Sequence, residues 1–223
     1  MIVLVCLEPA ASSLASQAVL QLASTLGEKS ETVVLYAGGD PKGATLAWVR
    51  SCAVVRRIIH LQNGLLAKAD FATLGMILAE TARHLKARVI LTGERSGDEG
   101  QGMVPAALAH HLKAPYFARV VGVQHPARED DPLLLTLRSG GKVCRVSSPL
   151  PAVLAVPPAG SFPPLEVGKS AVEIEHLTFD QVGLDAGRIV PRPSLLGDHV
   201  PAPAQADRTM TFDEAAKLLL QDQ

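Results

Sequence analysis

The sequence predicts an α/β fold with a doubly wound, mostly parallel sheet, an antiparallel hairpin extension and a C-terminal arm. The first observation is the alternation of short apolar runs with helical segments over residues 1–92. This alternation is typical of βαβ units, which build parallel sheets. The second is a glycine turn between two later apolar runs, which indicates a hairpin. The third is the concentration of proline after residue 157, which predicts an extended segment.

In the first half, continuous apolar runs predict strands that are covered on both faces. These runs occupy residues 2–7, 32–37, 57–61 and 88–92. Between them, apolar residues that recur every three or four positions predict helices over 13–26, 42–52 and 69–85. In the first helix Leu14, Ala18 and Leu22 form the apolar stripe, and Gly27 supplies the stop.

The second half begins with a glycine-rich loop at 93–101 and a predicted helix over 103–112. Strands are predicted over 117–124, 133–137, 142–147 and 152–156. Ser139-Gly140-Gly141 predicts a hairpin turn between the second and third of these. Thr211 and Glu214 fit a capping box that opens a last helix, which we expect to dock on a partner subunit, with docking on its own domain as the alternative. We therefore predict a nucleotide-binding domain over 1–157, followed over 158–223 by a loop, a proline-rich arm that contributes no regular core, and this helix.

Composition argues against several classes of function. Hydrophobic residues make up 48% of the 223 residues and the formal net charge is -1, so no basic face for nucleic acid is expected. No run approaches the roughly 20 apolar residues of a membrane span. The three cysteines are far apart and form no CxxC pair, which favours buried thiols in a reducing cytoplasm over a metal or disulfide site.

The strongest local motif is the segment 93–102, which contains four glycines and lies between a predicted parallel strand and a helix. Glycines let the chain turn tightly and present amides, and the helix N-terminus adds partial positive charge. Nucleotides bind at this end of the strands in doubly wound folds. The motif is neither a Walker loop nor a GxGxxG fingerprint, and a surface loop without a ligand is the alternative interpretation.

Three other patterns do not support catalysis or metal binding. Gly38 to Thr45 has the glycine spacing of a Walker loop, but Ala44 replaces the lysine that the motif needs. Ser96 lies one position away from the serine of a GxSxG elbow and has no predicted partner. His110-His111 lies on a helix, where adjacent side chains diverge by about 100° and do not share a metal easily. No catalytic residue and no metal ligand are predicted.

The segment 93–109, the following Lys113-Ala-Pro115, and Leu150-Pro151-Ala152-Val153 resemble the β subunit of electron-transfer flavoproteins. The first strand, ending near Cys6, and the second strand with its glycine turn are similar as well. The resemblance covers roughly residues 1–170. The glycine loop is shorter than in the family and the usual Asn-Pro-x-Asp segment after the first strand is missing. These departures resemble those of a diverged paralogue and predict either a remodelled adenine pocket or a different ligand.

The resemblance implies an adenine-nucleotide α-hydrolase-like fold and two sets of functional residues. By position in the family motifs, the predicted nucleotide-binding residues are Cys6, Leu7, Ala37, Gly38, Gly93, Glu94, Arg95, Ser96, Asp98, Gly100, Gln101 and Gly102. The predicted partner-recognition loop is Gly160, Ser161, Phe162, Pro163, Pro164 and Leu165.

The resemblance also implies cofactors and partners. The chain is expected to bind AMP structurally, or a second FAD in its place, and to share FAD with an α subunit in a heterodimer. A flavin-dependent dehydrogenase would supply the electrons, and no nucleic acid or membrane insertion is expected. Two alternatives remain: an ATP-binding or ATP-hydrolysing enzyme of the adenine-nucleotide α-hydrolase type, and a stress-type nucleotide-binding module.

Overall fold

Ten strands and four helices are present in the residues described by the computed structural model, which are 1–7, 14–27, 29–38, 43–64, 66, 69–95, 102–128, 131–158, 162–168 and 172–188. The strands are β1 (Ile2–Leu7), β2 (Glu31–Ala37), β3 (Val55–Leu61), β4 (Val89–Gly93), β5 (Tyr116–Phe117), β6 (Val120–Gln124), β7 (Leu133–Ser139), β8 (Lys142–Ser148), β9 (Ala152–Val156) and β10 (Ile174–Leu177). The helices are α1 (Leu14–Ser24), α2 (Gly43–Ser51), α3 (Phe71–His84) and α4 (Met103–Leu112).

Seven strands form one sheet in the order β10-β3-β2-β1-β4-β9-β5, and each neighbouring pair is parallel. From β1 the chain first moves outward through β2 to β3, and then returns to β4 on the other side of β1. The strand order therefore reverses between β1 and β4. The doubly wound α/β fold predicted from the sequence is confirmed.

The sheet is buried on both faces, which explains why its strands are apolar throughout. α1 and α2 cover one face, where Val5, Val34 and Leu91 lie in the core. α3 and α4 cover the other face, where Leu4 and Ile90 lie in the core. Each fully buried aliphatic side chain of this kind contributes roughly 1.5–3 kcal/mol to stability.

The predicted hairpin is confirmed, but it belongs to a separate sheet. β6, β7 and β8 form a three-stranded antiparallel sheet whose apolar face packs against the α1 side of the core. Gly140 and Gly141 have φ of 55° and 78°, as a two-residue hairpin turn requires. The strand predicted over 117–124 is divided at Arg119, whose φ is 57°. β5 stays in the parallel sheet, and β6 begins the small one.

The prediction that the residues after 157 contribute no regular core is wrong for 172–188. β10 pairs with β3 at the edge of the parallel sheet. The 3-10 turn Asp180–Val182 and the residues around it bury Phe179, Val182 and Leu184 against the α3 face. The prolines before this segment do not interrupt it, so apolar side chains can still reach the core. The domain boundary at 157 stays a prediction, and Thr211, Glu214 and the helix they open lie outside the described residues.

Candidate nucleotide site at the carboxyl edge of the sheet

The reversal of strand order places several predicted site residues at one edge of the parallel sheet. Cys6 of β1 is in register with Thr92 of β4 and with Leu35 of β2. Because the three strands are parallel and in this register, the residues at their carboxyl ends lie next to one another. They are Leu7 at the end of β1, Ala37 and Gly38 at the end of β2, and Gly93 at the end of β4. Ligands of doubly wound proteins bind in the crevice at this reversal.

The two described ends of the glycine loop lie against each other. A Cβ atom on Gly102 would lie 2.6 Å from the carbonyl oxygen of Glu94, and 3.8 Å from Cγ of Arg95. Gly102 has φ of 65°, a conformation that residues with a Cβ adopt at a cost. The loop therefore leaves β4 and returns to the same place to begin α4. The predicted residues Ser96, Asp98, Gly100 and Gln101 lie outside the described residues.

α4 directs its N-terminus toward the loop and is held there by α3. The first amides of a helix have no carbonyl partner within it, and Gly102 at the N-cap position has no side chain to cap them. α3 approaches α4 closely at Gly75, where a Cβ would lie 2.5 Å from Cβ of Ala107. The position of the α4 N-terminus therefore depends on the packing of the two helices. Its partial positive charge suits an anion.

α1 begins beside Gly93, on the other side of the crevice. A Cβ on Gly93 would lie 3.5 Å from both Cβ of Ala15 and the carbonyl oxygen of Arg95. These are ordinary van der Waals distances, so the fold itself does not require glycine at this position. A glycine at the end of a strand that faces a crevice leaves room for a ligand to approach the backbone.

His60 fixes the turn after β2, and sequence reasoning did not identify it. Gly38 has φ of 113° and donates its amide to the carbonyl of Leu61 at 3.4 Å. The carbonyl of Gly38 lies 3.0 Å from Nε2 of His60, which must carry the proton because a carbonyl only accepts. His60 is 1% exposed and its ring lies edge-on to His176. The only sequence signal for His60 is a single histidine within the apolar run 57–61.

Glu94, Tyr116 and Arg119 form a cluster at the β5 side of the edge, and the last two were not predicted. Glu94 donates its amide to the carbonyl of Val156 at 3.0 Å. Its Oε1 lies 3.5 Å from Nε of Arg119. Burial, and secondarily the charge of Glu94, raise the pKa of Tyr116 above its ordinary value. No sequence pattern joins these residues, because β9 comes between β4 and β5 in the sheet but after both of them in the chain.

The polar side chains beside the crevice are not set up for nucleophilic chemistry. Burial raises the pKa of the Cys6 thiol to about 12, so the thiol is neutral at physiological pH. Burial also raises the pKa of Tyr36, whose hydroxyl has no hydrogen-bond partner among the described residues. Within the same residues, no group of three or more histidine, cysteine, aspartate or glutamate side chains could hold a metal ion.

The predicted recognition loop is only partly exposed. Phe162 and Leu165 pack against the core, whereas Pro163 and Pro164 are exposed. The next residues are tied to the end of α2, because the amide of Ala53 donates to the carbonyl of Glu166 at 2.9 Å. Gly160 and Ser161 lie outside the described residues. Among the described residues of this loop, Pro163 and Pro164 are therefore the exposed ones, and its role in recognition stays a prediction.

Comparison with known proteins identifies a family for most of the chain. Residues 3–182 match the family model described as electron transfer flavoprotein domain. The match runs from β1 through the turn after β10, and it includes both sheets and the crevice. No curated protein matches the chain. In the part of the chain that the structure describes, no helix is long and apolar enough to cross a membrane.

Proposed function

The chain belongs to the electron transfer flavoprotein domain family, and on this premise we propose that it is the β-type subunit of a heterodimeric electron carrier. In this role it binds AMP as a structural ligand, or a second FAD in its place. FAD shared with an α subunit carries the electrons, which a flavin-dependent dehydrogenase supplies and a downstream acceptor receives. The three cysteines are free, which suits the cytoplasm as the proposed compartment, although Cys144 is exposed and not buried as predicted.

One observation supports the nucleotide role most directly: both ends of the glycine loop meet at the reversal point of the sheet. Gly93 leaves room near the backbone, and Gly102 opens α4 toward the same place. The neutral Cys6 thiol and Ala37 add no charge to the β1 and β2 side of the crevice. A space lined on that side by small, uncharged groups, with a helix N-terminus beside it, fits an adenine nucleotide.

The proposed role requires positioning and no acid–base chemistry from this chain. Flavin, when bound, supplies the redox chemistry, while the protein determines its orientation and surroundings. The described residues therefore act by holding the nucleotide and the fold around it. Pro163 and Pro164 are exposed within the described part of the predicted recognition loop, and we propose that they contact the dehydrogenase.

The first experiment identifies the bound nucleotide. The chain is expressed with a candidate α subunit, the complex is purified and denatured, and the released small molecules are separated and counted. We expect about one AMP and one FAD per heterodimer, or two FAD. ATP turnover by the isolated chain, without flavin in the complex, would instead favour the nucleotide-hydrolysing alternative and would overturn the electron-carrier proposal.

Gly93→Ala tests whether the nucleotide approaches this backbone. The added methyl meets only ordinary contacts within the fold, so the thermal stability of the nucleotide-free chain should not change. It should displace a ligand that lies against Gly93, and the AMP content of the purified protein should fall. Gly168→Ala is the matched control, because a Cβ there also meets ordinary contacts at 3.5 Å, from Ala53, and Gly168 lies beside Ser51 at the end of α2, at the opposite edge of the sheet. Equal AMP content in the two variants would contradict the assignment of Gly93.

A further inference from the structure

The glycine loop carries more acidic than basic side chains, which is unfavourable for a phosphate ligand. The segment 93–102 contains Glu94, Asp98 and Glu99 as acidic residues and Arg95 as its basic one. A phosphate brought near carboxylates is repelled, and a helix N-terminus offers only about half a positive charge. A cation from another part of the fold, in addition to Arg95, would offset this repulsion at a nucleotide phosphate.

Arg119 brings a guanidinium group to the loop from the far side of β9. Its Nε lies 3.5 Å from Oε1 of Glu94. The carbonyl of the same Glu94 contacts Gly102, where α4 begins. Glu94 therefore lies close to both positively charged groups, the guanidinium through its side chain and the α4 N-terminus through its carbonyl.

The backbone around Arg119 is held in an unusual conformation. Its φ is 57°, which is unfavourable for a residue with a Cβ. The carbonyl of Arg119 accepts a hydrogen bond of 3.0 Å from the amide of Arg138 in β7. The residue therefore lies at the point where the chain leaves the parallel sheet for the antiparallel one, and the small sheet fixes its backbone. Such local strain is often retained where a side chain has a function.

The guanidinium has donors to spare. The Arg119 side chain is 55% exposed, and its 3.5 Å contact with Glu94 is longer than a good hydrogen bond. Arginine has five N–H donors in a planar fork that matches two phosphate oxygens. We propose that Arg119 binds the phosphate group of the nucleotide and that Glu94 holds the guanidinium at the edge of the site until the nucleotide arrives. This inference rests on the nucleotide-binding role proposed above.

Comparison of AMP with adenosine tests the inference, because the two ligands differ only in the phosphate. The dissociation constants of both are measured by calorimetry for the full chain freed of bound nucleotide, with the unsubstituted chain as reference. The variants are Arg119→Gln, Arg119→Lys and, as a matched control, Arg145→Gln. Arg145 is an exposed residue of β8 in the small sheet, so its variant removes the same charge away from the site. Thermal unfolding without ligand checks that each variant is folded.

We expect Arg119→Gln to weaken AMP binding about tenfold or more, because a charge-assisted hydrogen bond to phosphate is lost. Adenosine binding should change less than about twofold. The AMP affinity of Arg119→Lys should lie between those of Arg119→Gln and the unsubstituted chain, since lysine keeps the charge but lacks the planar fork of donors. Arg145→Gln should bind both ligands with the affinity of the unsubstituted chain.

Two results would overturn the inference while leaving the proposed function intact. One is that Arg119→Gln weakens the binding of AMP and of adenosine equally, which would indicate a purely structural role for Arg119. The other is that Arg119→Gln leaves AMP binding unchanged. Failure of the unsubstituted chain to bind AMP and adenosine would overturn the inference, and failure to bind FAD as well, in a parallel titration, would overturn the proposed nucleotide role itself.

Discussion

Gly75 allows α3 and α4 to approach closely, and its replacement by alanine provides a test of how the site is held. A Cβ at position 75 would lie 2.5 Å from Cβ of Ala107, and 2.8 Å from the backbone nitrogen of Leu108. Nonbonded carbon atoms normally approach to about 3.5–4.0 Å. α4 would therefore have to withdraw by roughly 1 Å, and its N-terminus at Gly102 would move with it.

Two opposing terms decide the size of the effect. Alanine favours a helix interior by about 1 kcal/mol over glycine. Overpacking a close contact costs about 1–3 kcal/mol, and here the contact includes backbone atoms that cannot rotate away. We therefore expect Gly75→Ala to lower the free energy of unfolding by about 1–2 kcal/mol. At about 2–4 °C per kcal/mol for a domain of this size, Tm should fall by about 2–8 °C.

Thermal unfolding followed by circular dichroism measures this change, and Gly64→Ala serves as the control because a Cβ at Gly64 meets no atom within 4 Å. The control should shift the free energy by no more than about 0.5 kcal/mol. The AMP content of Gly75→Ala should also fall if the α4 N-terminus binds the nucleotide. A Tm at or above that of the unsubstituted chain would falsify the reasoning, because helix propensity would then outweigh the contact.

Two further predictions concern buried side chains. His60→Leu removes the donor to the Gly38 carbonyl and should lower the free energy of unfolding, measured in urea, by about 1–3 kcal/mol. His60→Gln should recover part of this loss, because its side-chain amide can donate in a similar place. Equal free energies for the two variants would exclude the hydrogen bond as the cause. Burial raises the pKa of Cys6 from 9.0 to about 12 and that of Cys52 from 9.0 to about 11. Both thiols therefore ionise at a lower pH in the unfolded chain than in the folded one. The free energy of unfolding should fall as the pH rises above about 9, until the folded thiols ionise at about 11 and 12. The double variant with alanine at Cys6 and Cys52 should show a smaller fall of stability with pH, whereas alanine at the exposed Cys144 should leave the fall unchanged. Identical pH profiles for the unsubstituted chain and both variants would contradict the attribution of the fall to Cys6 and Cys52.

The candidate site was predicted partly from the residues and partly from the family resemblance. Gly93 was identified by the glycine-rich loop that follows an apolar run, since nucleotides bind at the carboxyl ends of parallel strands. Leu7 and Gly38 were named by the resemblance alone. Their location at that edge is established by the structure, and their contact with a nucleotide stays a prediction. Arg119 and His60 were missed, since each acts through a partner that is close in space and distant in the chain.

The fold shows the same division. Periodicity identified β1 to β4 and the helices between them, because strand and helix repeats are local properties of the chain. The residues after 157 were interpreted as an arm on their proline content, yet β10 pairs with β3. That pairing depends on the free edge of β3 and on the burial of apolar side chains such as Phe179. The proline content of the segment gives no information about either of these features.

By itself the sequence determined the fold class, the glycine loop and the family resemblance, because all three depend on residue type and spacing along the chain. Only the tertiary structure decided that the hairpin belongs to a separate sheet, that β10 extends the parallel sheet, and that Glu94 meets Arg119. These features depend on strand order and on side-chain contacts between distant segments. Many strand orders satisfy the same local patterns, and packing of the whole core selects one of them.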